Sequence, residues 1–137
     1  GSAPIEAFFN GFYAARGLAF EPTAFDGPSD YGPFIDSEVD IPAGGLFTGA
    51  EDLMTAEQAA KWGGTAGVAF DPCYHAVCDT FANNSDAVLD LNSDAVALAT
   101  LTYAMSTETV TPAADAAALA LSARASGASR GHQLVAD

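Results

Sequence analysis

Basic residues are nearly missing from this 137-residue chain: Lys61 is its one lysine, and with the arginines the total is four, against eighteen aspartates and glutamates, a formal net charge of −14. A surface of that sign repels phosphate at every approach, which excludes nucleic acid and anionic membrane surfaces as partners. No stretch reaches the roughly 18 to 20 uncharged apolar residues that a membrane-crossing helix needs. The scarcity of lysine beside about thirty alanines points to a salt-adapted or high-G+C source, and equally to an acidic secreted protein without salt adaptation.

What the chain does have is apolar bulk. Half of it is hydrophobic, with nine Phe and four Tyr concentrated before the last thirty residues. That is enough for one modest core in a single domain. Gly1-Ser2 resembles the scar of a cleaved tag and is set aside. The domain is read over residues 3–107, and residues 108–137, rich in Ala and Ser and lacking aromatics, as a tail that is a loosely held helix or disordered.

Along residues 3–17, Ile5, Phe8, Phe9, Phe12 and Tyr13 recur at helical spacing, with Pro4 in the first turn and Gly17 as the stop. Leu18 to Phe25 reads as a short strand that Pro22 confines to an edge, and Tyr31 to Val39 as one short helix. Ile41 to Thr48 reads as a buried strand whose paired Gly44 and Gly45 let a ligand or another backbone come close. Thr55 and Gln58 form a capping-box pattern for a helix ending at Gly63-Gly64. A long helix is expected from Asn84 or Ser85 to about Ser106, with Val88, Leu89, Leu91, Ala95, Val96, Leu98, Ala99, Leu101 and Met105 as its core face.

The densest chemistry lies in Asp71-Pro72-Cys73-Tyr74-His75-Ala76-Val77-Cys78-Asp79. Two cysteines and one histidine fall short of four metal ligands and do not match common zinc spacings. A local Cys73–Cys78 disulfide fits better; it would fix the directions of Tyr74 and His75 and place the protein in an oxidising compartment, secreted or extracellular. His75 by itself reads as a surface histidine or as a metal ligand or base.

The strings Phe25-Asp26-Gly27-Pro28-Ser29-Asp30-Tyr31-Gly32-Pro33-Phe34, Ile41 to Ala50, Lys61-Trp62-Gly63-Gly64-Thr65-Ala66-Gly67 and Cys73-Tyr74-His75 with Cys78-Asp79 occur in unbroken order. Together they resemble the secreted bacterial co-catalytic zinc aminopeptidases, metallopeptidase family twenty-eight of clan MH, from about Ile5 to Met105. The resemblance implies an α/β fold: a partial three-layer α/β/α sandwich, the C-terminal half of a zinc-exopeptidase fold, with two or three strands flanked by helices. It implies a two-zinc exopeptidase in which a metal-bound water attacks the peptide carbonyl and a glutamate is the base. On the matching positions, His75 resembles a zinc ligand, Tyr74 the phenol that hydrogen-bonds the tetrahedral intermediate, and Gly44, Gly45 and Phe47 a wall of the pocket for an apolar first side chain.

The family's other ligands and its base fall on an N-terminal half that has no counterpart here, so the resemblance implies a fragment that is inactive alone. Its partner would be that missing half, with peptides as substrates, or a second copy of itself; the alternative function is a non-catalytic acidic module that oligomerises through an exposed sheet face. Pro28 stands where many relatives carry an arginine that meets the substrate. Asp90 and Asp94, four apart on the long helix, resemble a calcium-holding pair in some relatives, though two carboxylates are too few by themselves.

Overall fold

A helix forms where the apolar stripe begins because Pro4 is tolerated in a first turn, where its missing N–H has no partner to lose. In the computed structural model, which describes residues 2–27 and 29–110, this helix is α1, Ala3–Ala14. Gly17, at φ +65°, turns the chain away, and the Leu18 amide donates back to the Tyr13 carbonyl at 3.1 Å. Further along are α2 (Gly32–Ile35), α3 (Ala56–Trp62), a single 3₁₀ turn (Phe81–Asn83) and α4 (Asp86–Met105).

The Thr55–Gln58 capping box read from the sequence is made, whereas Ser29 and Asp30, placed in the sequence to cap the helix that follows, do not cap it: the N-cap of α2 is Tyr31, with no side-chain cap. The Thr55 hydroxyl accepts from the Gln58 amide at 3.1 Å and the Gln58 side chain accepts from the Thr55 amide at 2.9 Å. A cap of this kind is worth about 1 kcal/mol to a helix of only two turns. Ser85 starts α4, its hydroxyl accepting from the Val88 amide. The short helix expected over Tyr31 to Val39 is a single helical turn: at Asp36 the chain leaves the helix, and the Asp36 side chain accepts instead from the Glu38 amide.

The core is the crossing of α1 and α4. Phe9 and Phe12 are buried against Ala95 and Ala99, and Ile5, Phe8, Tyr13, Leu46, Leu91 and Tyr103 pack around them. Small residues on α4 let the two helices approach, so the Phe rings fill the interface; burying each is worth about 1.5–3 kcal/mol. Two polar ties hold the ends: the Tyr13 phenol donates to the Asn92 side chain, and the Tyr103 hydroxyl to the Pro4 carbonyl at 3.4 Å. Burial pushes the Tyr13 phenol above its ordinary pKa.

The expected α/β sandwich is absent: the described residues form helices and no sheet. Leu18 to Phe25 and Ile41 to Thr48 carry no regular secondary structure, and Ala19 to Asp26 and Pro42 to Thr48 make no backbone-to-backbone hydrogen bond with other described residues. A segment becomes a strand only when a neighbour takes its alternate N–H and C=O groups, and neither segment has one among the described residues. The nearest approach to a sheet is one antiparallel bridge, Leu53 with Ala69, flanked by bonds from the Phe70 amide to the Asp52 carbonyl and from Asp71 to Ala50. The broad core face expected on α4 narrows for a related reason. One helix covers one stripe, so Ala95 and Ala99 are buried while Leu89, Val96, Leu98, Leu101 and Met105 remain exposed. No helix among the described residues is long and apolar enough to cross a membrane.

Candidate functional site

Between α1, the 18–25 and 41–48 segments and α3 runs a groove of about 920 Å³ whose walls include Phe9, Phe20, Gly44, Gly45, Phe47 and Trp62. The stretch from Pro42 to Thr48 reaches it because α1 pins it from behind, the Ala43 amide donating to the Ser2 hydroxyl and Leu46 packing on the α1–α4 core. Phe47 is left half-exposed. On the far wall α3 is drawn to the 18–25 segment by Glu21, which pairs with Lys61 and accepts from the Gln58 amide group at 3.0 Å. Those two partners, Lys61 first, hold the Glu21 carboxyl below its ordinary pKa. The Trp62 indole N–H donates to the Ala19 carbonyl at 3.3 Å. The three residues read as a pocket wall are therefore together, in a mainly apolar groove with several aromatic side chains.

Tyr74 and His75 lie elsewhere, on the segment that follows the antiparallel bridge, and do not line this groove. The Cys73–Cys78 disulfide is formed, with Cα atoms 5.2 Å apart, and it encloses Tyr74, His75, Ala76 and Val77 in a small ring. The Tyr74 and His75 rings lie with centroids 4.0 Å apart, tilted by 49°. His75 sits at φ +54°, the left-handed region, which costs a non-glycine residue roughly 1–2 kcal/mol and persists where its surroundings enforce it. Both rings face solvent.

The ring is anchored through Asp71. Its carboxylate accepts from the Cys73 amide at 2.8 Å and from the Asn83 side-chain amide at 3.0 and 3.2 Å, and its own amide is held by the Ala50 carbonyl at 2.7 Å. Asn83 and then the Cys73 amide depress the Asp71 pKa, since both donate to the ionised form. Asp-Pro-Cys is an Asx-turn pattern, so the Cys73 half of this arrangement has a sequence signal; the Asn83 half, twelve residues away, has none.

A metal site is not completed by these residues. Among the described residues no group of three His, Cys, Asp or Glu side chains stands close enough to hold an ion, and both cysteines are committed to the disulfide. His75 is thus a lone donor. Asp90 and Asp94 lie exposed one turn apart on α4, with Asp86 one turn earlier, and belong to no group of three acidic, His or Cys side chains placed to hold an ion among the described residues. Pro28, His132 and most of the region read as a tail lie outside the described residues.

The model of Peptidase family M28 matches residues 1–100. An aminopeptidase of Pseudomonas aeruginosa is 49% identical over 110 residues, 80% of this chain and 20% of that protein. Leupeptin-inactivating enzyme 1 of Streptomyces exfoliatus is 51% identical over 104 residues, 75% of this chain and 23% of the enzyme. A probable leucine aminopeptidase 2 of Aspergillus oryzae is 50% identical over 104 residues, 76% of this chain and 21% of its own. The chain thus spans about a fifth of the length of the curated relatives it matches. By the extent of the match, the chain belongs to peptidase family M28.

Proposed function

We propose that this chain is one part of a zinc-dependent aminopeptidase, supplying a transition-state donor, one metal ligand and a wall of the substrate pocket, and that it works only together with polypeptide outside this sequence. Peptidases of its family are generally metal-dependent. The observation that carries the reading is the disulfide-braced ring presenting Tyr74 and His75 side by side, in a chain about half identical to aminopeptidases over most of its length. A phenol O–H held at a fixed angle is suited to donate to the oxygen of a peptide carbonyl as negative charge gathers there. The His75 imidazole is suited to give one nitrogen to a zinc ion whose remaining ligands are not among the described residues. Gly44, Gly45 and Phe47 would border an apolar first residue of a peptide. The disulfide supports a secreted setting, where such a bond persists.

The test is complementation. This chain is mixed with the N-terminal part of a matched relative, and release of anilide from leucine or phenylalanine substrates is followed. Neither part alone should turn over. Weak activity should appear on mixing, vanish with a chelator, and fall sharply on His75→Ala and Tyr74→Phe, because several absent ligands and a base cannot be replaced by two side chains. Turnover by this chain alone that survives His75→Ala would overturn the reading.

The apolar side chains left uncovered on α4, Leu89, Leu101 and Met105, favour a second reading, that the chain binds copies of itself as a non-catalytic acidic module. Solution mass separates the two. A stable homo-oligomer unchanged by added complement supports self-association, and a monomer that joins the complement supports the first reading.

A further inference from the structure

The disulfide closes the ring from Cys73 to Cys78 but does not orient that ring on the protein. Chain on either side of it, Asp71-Pro72 before and Asp79 to Asn84 after, could swing the whole ring as a unit. Residues 72–82 make no hydrogen bond or ion pair to described residues outside 71–84; their backbone bonds, Tyr74 to Asp71, Ala76 to Cys73, Asp79 to Ala76 and Thr80 to Cys78, are all local. Val77 and Phe81 at the outer edge are almost wholly exposed, so packing does not hold the segment either. What remains is its base. There Asp71, fastened to Ala50 through its backbone, meets Asn83, the last residue of the 3₁₀ turn and two residues before the Ser85 cap of α4.

From this arrangement we infer that Asp71 and Asn83 are positioning residues: their side-chain pair closes the base of the loop and fixes the direction in which the Tyr74–His75 pair faces. The division of labour is physical. The disulfide sets the shape of the small ring, including the left-handed backbone of His75, while the carboxylate and the amide set the orientation of that ring against the Ala50–Ala69 bridge region and α4. Holding both carboxylate oxygens with one amide restricts rotation more than a single hydrogen bond would. The meaning of that orientation rests on the reading of Tyr74 and His75 as site residues; the clamp itself does not.

The experiment is nuclear magnetic resonance on the full chain. Backbone order parameters are measured for residues 73–79 and, as internal controls, for α1 and α4. The unaltered protein should show values near the rigid limit of about 0.85 throughout. In Asn83→Ala, residues 73–79 should fall below about 0.6 while both helices keep theirs. The exchange Asp71→Asn with Asn83→Asp should restore order, because an amide at 71 still accepts from Cys73 and donates to a carboxylate at 83. Order retained in Asn83→Ala, disorder spreading equally to α1 and α4, or an exchanged pair that does not recover would each overturn the inference. In a complemented enzyme, Asn83→Ala should lower kcat at least tenfold with KM little changed, and the exchange should recover it. Because the order parameters need no activity, failure of the aminopeptidase reading and failure of the clamp give different results.

Discussion

Gly44 lies against Ile5 so closely that a methyl group placed on it would stand 2.5 Å from Ile5 Cγ2 and 3.1 Å from Ile5 Cβ. Ile5 is branched at Cβ and sits on α1, so its side chain has little freedom to withdraw. The neighbouring Gly45 has nothing within 4 Å of the same added atom. Two glycines that look alike in the sequence therefore do different things: Gly44 lets the groove wall rest on α1, and Gly45 leaves the groove open.

Gly44→Ala should accordingly destabilise the protein by about 1–3 kcal/mol, the usual result of overpacking. In a domain of this size that is a fall in melting temperature of roughly 4–8 °C per kcal/mol. Gly45→Ala should leave the melting temperature unchanged or slightly raised, since a methyl there meets no atom and removes freedom from the unfolded chain. Thermal unfolding followed by circular dichroism checks both. Equal losses at the two positions would contradict the contact.

Acid should release the Asp71 clamp before it disturbs the helices. The folded-state pKa of Asp71 is depressed, so the ionised form's hydrogen bonds are present above the unfolded value, near 3.9, and are lost as pH falls through the lower folded value. The Cys73 amide proton, which points at the carboxylate, should report that titration with a midpoint below 3.9. Asn83→Ala removes the largest cause of the depression and should move the midpoint upward. A midpoint that ignores this substitution would show that Asn83 does not hold the carboxylate in solution.

How much of this was legible in the sequence depended on range. The Thr55–Gln58 box, the Gly17 stop, the start of α4 at Ser85 and the Cys73–Cys78 pair each rest on residues at most five apart, and each is present in the structure. Their geometry is fixed by the local chain. The sheet was not legible in the same way, because Leu18 to Phe25 and Ile41 to Thr48 have the composition of strands but no pairing partner among the described residues. Strand character belongs to a pair of segments, and a pattern in one of them cannot supply the other. The ties from Tyr13 to Asn92 and from Asp71 to Asn83 had no signal at all, since a single polar side chain does not name its partner at a distance. Of the candidate site, Gly44, Gly45 and Phe47 line one groove, while Tyr74 and His75 stand apart from it.

Salt should stabilise this protein. Of the four basic residues, the two within the described structure are already engaged: Arg16 lies over the Phe12 ring, 3.5 Å from its centroid, and Lys61 pairs with Glu21. The remaining carboxylates repel one another in the compact state with little counter-charge, and at molar salt the screening length shrinks to about 3 Å. The melting temperature should rise by several degrees between low and molar sodium chloride. Sodium sulfate at matched ionic strength separates screening from solute exclusion, which would make sulfate clearly superior. A flat response to chloride would contradict a surface governed by self-repulsion.

Metal ions should leave the stability of this chain by itself where it is. An ion that binds only the native state raises stability by RT ln(1 + [L]/Kd), so about 1 mM of an ion with a micromolar site would add about 4 kcal/mol, a shift no melting curve could miss. A zinc site of that strength needs three or four converging donors, and among the described residues His75 belongs to no group of three His, Cys, Asp or Glu side chains placed to hold an ion. Calcium takes six to eight oxygens, and Asp90 and Asp94 offer two carboxylates on one exposed helix face. Zinc or calcium at about 1 mM should therefore move the melting temperature no further than magnesium at the same concentration, which controls for general screening of the acidic surface. A rise specific to zinc and abolished by His75→Ala would mean that donors outside the described residues, or from a second copy, converge on His75. A rise specific to calcium and lost in Asp90→Asn would establish that the pair on α4 finds further oxygen ligands in solution.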